Sequence, residues 1–193
     1  MKDLDVMIRS VNERMDHLEL LRERSVSISR EVIRMTKRAI HAIHSREAHE
    51  DILSDAISAY SKLYGIIDEE PEILFSGPAA DAMMELSEAC ILSSVVLGKE
   101  MPSYSSLGVT PQAWVLGLAD CLGELRRIML DSLMNRDFNA ARDTFDKMEV
   151  ICEAVMSFDV PDAILPIRRK QDVARSIMER TRTDITNALL MNR

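Results

Sequence analysis

The stretch "TPQAWVLGLADCLGELRRIMLDS", residues Thr110 to Ser132, opens on a pair suited to a helix start and runs on without another proline. A threonine side chain caps the first free backbone N–H groups, and a proline at the next position has its φ preset for the first turn. The apolar run of Trp114, Val115, Leu116, Leu118, Ala119, Cys121 and Leu122 is interrupted by Asp120 and Glu124. Residues four apart lie above one another on one helix face, so these carboxylates stack in apolar surroundings. Burying unpaired carboxylates is costly, and a cation, a metal or a proton must compensate them.

Outward from this helix, periodicity of the helical kind continues in both directions. A long first helix is predicted over Asp3–His44, with Ile28, Val32, Ile33, Met35, Ala39, Ile40 and Ile43 as its apolar stripe. A second is expected over Glu47–Asp68 and a third from Glu72 to Leu97, interrupted at "SGPAAD". The segment "GKEMPSYSSLGVT" reads as a loop, because Gly, Pro and Ser cluster there. The Thr110 helix should end near Met134, a further one should span Phe138–Phe158, and the last Ile167–Leu190. Strand-like alternation is lacking, and so is any repeat. Residues 1–193 therefore read as a single domain, an all-α antiparallel bundle of about six to seven helices.

Composition agrees. Apolar residues are 47% and charged residues 29%, an ordinary globular balance, and 13 Met against 6 Gly and 6 Pro favours helix. The longest apolar run, "ACILSSVVLG", is far short of the roughly 20 residues that span a bilayer, so no membrane segment is expected. The charged N-terminus reads as neither signal nor transit peptide, and a cytoplasmic protein is expected. Cys90, Cys121 and Cys152 sit in apolar patterns and are odd in number, which suits buried reduced thiols. The four histidines, His17 and His49 among them, read as surface groups rather than ligands.

Net charge is −8, yet it is polarised along the chain. Between Arg22 and Arg46 seven basic residues face two acidic ones, a balance of +5, whereas Glu47–Glu100 sets twelve acidic against two basic, a balance of −10. Within the basic part, Arg30, Arg34, Lys37, His41 and His44 recur at spacings of 4, 3, 4 and 3. They fall within roughly 80° of the helix circumference and extend for roughly 20 Å, long enough to follow several backbone phosphates. Arg38 borders this row. No acid interrupts it, which separates it from an ordinary solvated face. A second row, Arg168, Asp172, Arg175, Glu179 and Arg182, alternates in sign and reads as a salt-bridged face.

Asp81, Glu85 and Glu88 in "DAMMELSEACILSSVV" repeat the pattern of Asp120 and Glu124 on the preceding helix. Either set alone suits a partly exposed face or ion pairs, for example with Arg126 or Arg127. Two sets on consecutive helices could meet if those helices pack as an antiparallel pair. Facing carboxylates are hard oxygen donors and suit Mg²⁺ or Mn²⁺ rather than zinc. The Glu-x-x-His pairs of a di-iron bundle are missing, as are a Gly-rich phosphate loop and a Cys-x-x-Cys motif. Aromatic residues are only 4% of the chain, too sparse for a base-stacking platform. A basic phosphate track beside an acidic metal site is the pairing expected of a phosphodiesterase.

The Thr110–Ser132 block resembles the signature of the translin superfamily, in which a proline, an aromatic, "LGLAD", "GEL" and a following basic residue recur in this order. "MELSEA" is similar to the Glu-x-x-Glu of translin-associated factor X, the family's catalytic branch. "ISREVIRMTKRAIHAIH" and "RRKQDVARSIMERTRTDI" fit the same pattern, so the resemblance covers most of the chain. It implies an all-α protein assembling into an octameric hollow barrel, here a homo-oligomer of the compact microbial or archaeal kind. It further implies binding of single- or double-stranded RNA or of DNA, and a Mg²⁺-dependent endoribonuclease activity. Carried over by position, the catalytic acids are Glu85, Glu88 and Asp120, with Glu124 a further metal-site candidate; the basic row of Arg30, Arg34, Lys37, Arg38, His41 and His44 is expected to bind the nucleic-acid backbone. Three other readings stay open: a binder without cleavage, a Mg²⁺-dependent nucleotide pyrophosphohydrolase, which also uses Glu-x-x-Glu, and an oligomeric scaffold.

Overall fold

The computed structural model describes residues 2–191. Among the described residues seven α-helices follow one another: α1 Lys2–His44, α2 Glu50–Glu69, α3 Pro78–Leu97, the single-turn α4 Tyr104–Leu107, α5 Pro111–Met134, α6 Phe138–Met156 and α7 Arg168–Met191. No strand occurs among the described residues, and the all-α reading holds. The α5 start is as expected, with the Thr110 hydroxyl accepting from the Ala113 N–H at 3.2 Å.

Burial on α1 follows a spacing of 3 and 4. Ser25, Ser29, Val32, Thr36, Ala39 and Ile43 form the buried seam, flanked by half-buried Ile28, Ile33, Met35 and Ile40. The N-terminal part of the helix reaches past its neighbours. There Leu4, Ile8, Val11 and Met15 are each more than half exposed. The helix is anchored in this part by Arg14, whose guanidinium forks onto both Glu70 oxygens at the end of α2.

The central element is α3. Its residues Ala79, Ala82, Met83, Leu86, Ala89, Cys90, Ile91 and Leu92 are all buried, so it carries no single apolar stripe but is covered on several sides. One apolar cluster joins it to α1 and α2, and a second joins its C-terminal half to α5, α6 and α7.

The partners of α3 fix chain direction. Gly117 on α5 lies against Met84–Glu88, while Val95 and Val96 share a hollow with Leu125, Ile128 and Asp131. Residue numbers therefore rise together, and α3 and α5 run parallel. This differs from the antiparallel pairing expected of consecutive helices. The segment between them, Gly98–Thr110, is the reason: it returns along the bundle, and the Tyr60 hydroxyl donates to the Gly108 carbonyl at 2.6 Å on its way. It is also not wholly irregular, since Ser103 caps α4 and Gly108 closes it at φ 67°. Neighbours joined by short turns, α1 with α2 and α5 with α6, do pack antiparallel.

Other departures have local causes. α2 begins at Glu50 rather than Glu47, because Arg46 adopts φ 59° and ends α1 in a Schellman turn, with Glu47 N–H donating to the Ala42 carbonyl. Arg136 ends α5 in the same way, also at φ 59°. The expected start of the third helix at Glu72 is a 3-10 turn over Pro71–Ser76, and Gly77 at φ 87° separates it from α3. His49 is buried rather than superficial, its Nε2 within 2.9 Å of the Ser93 hydroxyl. Cys90 and Cys121 are buried thiols as expected, but Cys152 is only half-buried. In the alternating row on α7 only Asp172 and Arg175 pair within the helix; Arg168 reaches Asp162 and Arg182 reaches Glu149.

A Cβ on Gly117 would fall 2.7 Å from the Met84 carbonyl oxygen and 2.8 Å from the Glu88 nitrogen. In a helix interior Gly→Ala ordinarily stabilises by about 1 kcal/mol. Gly117→Ala should instead lower unfolding free energy by about 1–3 kcal/mol in a denaturant titration, because the helices must move apart. A gain in stability would show that the close contact is not required.

Candidate active site

The parallel packing of α3 and α5 sets Glu85 and Glu88 beside Asp120 and Glu124. The charges of Asp120, Glu85 and Glu124 all act on Glu88, and Asp120 and Asp81 both act on Glu85. The four predicted acids are each half-buried, whereas Asp81 is exposed at the edge. Burial first, and the three neighbouring carboxylates second, push the Glu88 carboxyl up to about 8. Glu85 is raised for the same reason, with burial the largest cause and Lys37 opposing it. The Cys121 thiol is held well above its usual range by burial and by the same acids.

Three basic side chains enter the cluster. Lys37 Nζ on α1 stands 3.8 Å from Glu85. His44, one end of the predicted basic row, turns away from solvent and hydrogen-bonds Glu124 through Nε2. Lys170 on α7 places its ammonium 2.5 Å from both oxygens of Asp120. Among the described residues no three His, Cys, Asp or Glu groups close around one point as a finished ligand shell. The physical reason is visible in the contacts: Asp120 and Glu124 are each drawn toward their own basic partner, and like charges hold the rest apart. Arg126 and Arg127 are not those partners, since Arg126 pairs with Asp184 at 2.7 Å and Arg127 lines a separate hollow.

The remaining basic row is where the spacing places it. Arg30, Arg34, Lys37, Arg38 and His41 are exposed and, with Ile33, line a shallow open groove of about 500 Å³ along α1. The distance between track and acidic centre, only an expectation from sequence, is short, because Lys37 belongs to both. Lys170 escaped the sequence reading. Its signal was a cation three residues after the buried Ile167 and four before the buried Ala174, on the inward side of α7.

No family model matches the chain. An uncharacterised protein of Methanocaldococcus jannaschii is 32% identical over 169 residues, which is 86% of this chain and 75% of that one. The structure of AfC3PO in complex with duplex RNA is 33% identical, with a TM-score of 0.88 over 96% of this chain and 97% of its own. AfC3PO alone gives 34% identity and a TM-score of 0.88 over 96% and 98% of the two chains. Apo-NeC3PO, at 17% identity and a TM-score of 0.82 over 94% and 96%, shares the fold. With its all-α bundle and chain-long similarity to C3PO, the protein belongs to the translin superfamily.

The raised Glu88 has a consequence for stability. The folded chain keeps the Glu88 proton up to about pH 8, whereas the unfolded chain releases it near 4.5. Stability from this group is thus full below the unfolded value and is lost as pH rises toward 8. Glu88→Gln cannot suffer that loss. In EDTA, its melting temperature relative to wild type should climb between pH 5 and pH 8.5; parallel curves would mean that neither burial nor the neighbouring acids raise Glu88.

Proposed function

We propose that this chain is a metal-dependent endoribonuclease that lays RNA along the Arg30–His41 groove and cuts it at Glu85, Glu88, Asp120 and Glu124. The observation carrying the proposal is the continuity of groove and acids: Lys37 lines the groove and lies 3.8 Å from Glu85. A backbone following the cations of α1 is thereby led to the carboxylates. That an AfC3PO structure contains duplex RNA supports RNA as the ligand class.

The donor set fits a hard divalent cation. Four carboxylates gather at the α3–α5 boundary, and burial first and the three neighbouring acids second keep the proton on Glu88. Glu85, Glu88 and Asp120 would hold Mg²⁺ or Mn²⁺, and Glu124, oriented by His44, would complete the ligands. The ion, when bound, supplies Lewis-acid activation of the phosphodiester and of the attacking water. Arg30, Arg34, Arg38 and His41 bind phosphates and set register without reading bases. His44 serves Glu124 rather than the nucleic acid. The presence of all four acids favours the factor X branch over translin.

The proposal includes a cytoplasmic homo-oligomer, an octamer by family resemblance, which would cover the exposed Leu4, Ile8, Val11 and Met15. A second reading, RNA binding without cleavage, is favoured by the pairing of Asp120 with Lys170, which already satisfies that acid.

End-labelled single-stranded RNA incubated with Mg²⁺, Mn²⁺ or EDTA separates these readings. Internal cuts that need the metal and vanish in Glu88→Ala support the nuclease; salt-sensitive binding with no cuts in wild type leaves a binder. Independently, Arg30→Ala or Arg34→Ala should weaken binding evenly across RNA sequences and reduce the slope of log K against log salt by about 1 each. An unchanged slope would remove that residue from the phosphate track.

A further inference from the structure

Lys170 is unlike the other cations of the acidic centre. Lys37 is exposed and 3.8 Å from its acid, while Lys170 is about three-quarters buried and touches both oxygens of Asp120 at 2.5 Å. Its charge also reaches Glu85 and Glu88, so it serves the cluster and not one residue alone. It arrives from a separate element, α7, whose position is secured beyond Lys170: Gln171 donates to the Phe158 carbonyl at 2.8 Å, and Arg126 holds Thr181 and Asp184 at 2.7 Å. The stem of Lys170 is thus rooted in packed structure and its tip is aimed at the acids.

A lysine ammonium on both oxygens of a carboxylate uses the electron pairs that a divalent cation would use. A cation chelated by both oxygens and Lys170 cannot share Asp120 in that geometry, and their like charges oppose each other in any other. We propose that Lys170 is a positioning residue, a built-in counter-ion that holds Asp120 in place until a divalent cation displaces it. The inference rests on the metal reading of the four acids and adds a competitor to it. Lys170 keeps the crowded carboxylates together in the metal-free protein, and the metal must release it on entry. The flexible four-carbon stem allows that release without movement of α7.

The consequence is opposite in sign to that of a merely structural lysine. Lys170→Met should melt at lower temperature than wild type in EDTA, because Asp120 loses its partner. The same variant should bind Mn²⁺ more tightly, by about fivefold or more, the ratio matching an ion pair of about 1 kcal/mol. Lys170→Arg keeps the charge and should stay close to wild type in both respects. Calorimetric titration of Mn²⁺ into the full chain, with melting in EDTA, reads both quantities, and Lys170→Gln takes the place of Lys170→Met should that variant not fold. Equal or weaker Mn²⁺ binding by the neutral variant overturns the role of Lys170. Failure of wild type itself to bind Mn²⁺ overturns the metal site beneath it, and no variant is needed to see the difference.

Discussion

At Gly117 the backbones of α3 and α5 come close enough that a methyl group would collide with the Met84 carbonyl and the Glu88 N–H. That contact sets the distance between Glu88, on one helix, and Asp120, one turn further along the other. It also explains the burial of α3, which must offer one side to α1 and α2 and another to α5 while its acids gather at the boundary. With larger residues at the crossing, the same carboxylates would stand apart and behave as ordinary surface groups. The electrostatic crowding is therefore a product of backbone packing and not of composition alone.

Helix content, the capped start of α5 and the basic face of α1 were legible in the sequence, since each is written in local spacing: Thr110 before Pro111, or Arg30, Arg34 and Lys37 on one face. The identity of the four acids was legible for the same reason. Their manner of meeting was not. Whether α3 and α5 run parallel depends on the path of Gly98–Thr110, and that path is set by a tertiary bond, Tyr60 to Gly108. His49 was misjudged because its burial comes from Ser93, 44 positions away. Lys170 was hidden beside the conspicuous charge row of α7, and only the register of Ile167 and Ala174 betrays its inward side.

An acidic protein with a basic groove must keep its two signs of charge from cancelling. Here the separation is partly physical and partly abrupt. Arg30, Arg34, Arg38 and His41 remain in solvent, where they keep their attraction for phosphate, while Lys37 and His44 are spent on the acids. The boundary between track and acidic centre thus falls within a single helix, over about two turns. A chain whose charges were mixed more finely would have neither a field to attract polyanions nor a cluster short of positive charge.

The common direction of α1, α3 and α5 brings their C-terminal ends to one hollow, lined by His44, Arg46, Val96 and Asp131 among others. Each such end carries the negative pole of a helix macrodipole, equivalent to roughly half an electron charge. The antiparallel α6, whose first turns supply Asp137, Ala140 and Thr144 to the same hollow, brings a positive pole there that offsets them in part. Arg46, in a left-handed conformation that glycine ordinarily fills, closes α1 at this hollow and reaches Asp131 of α5 at 2.7 Å. Poles of both signs thus meet at this end of the bundle, and the charge of the hollow is left to its side chains, Arg46, Arg127 and Lys147 against Asp131, Asp137 and Asp143.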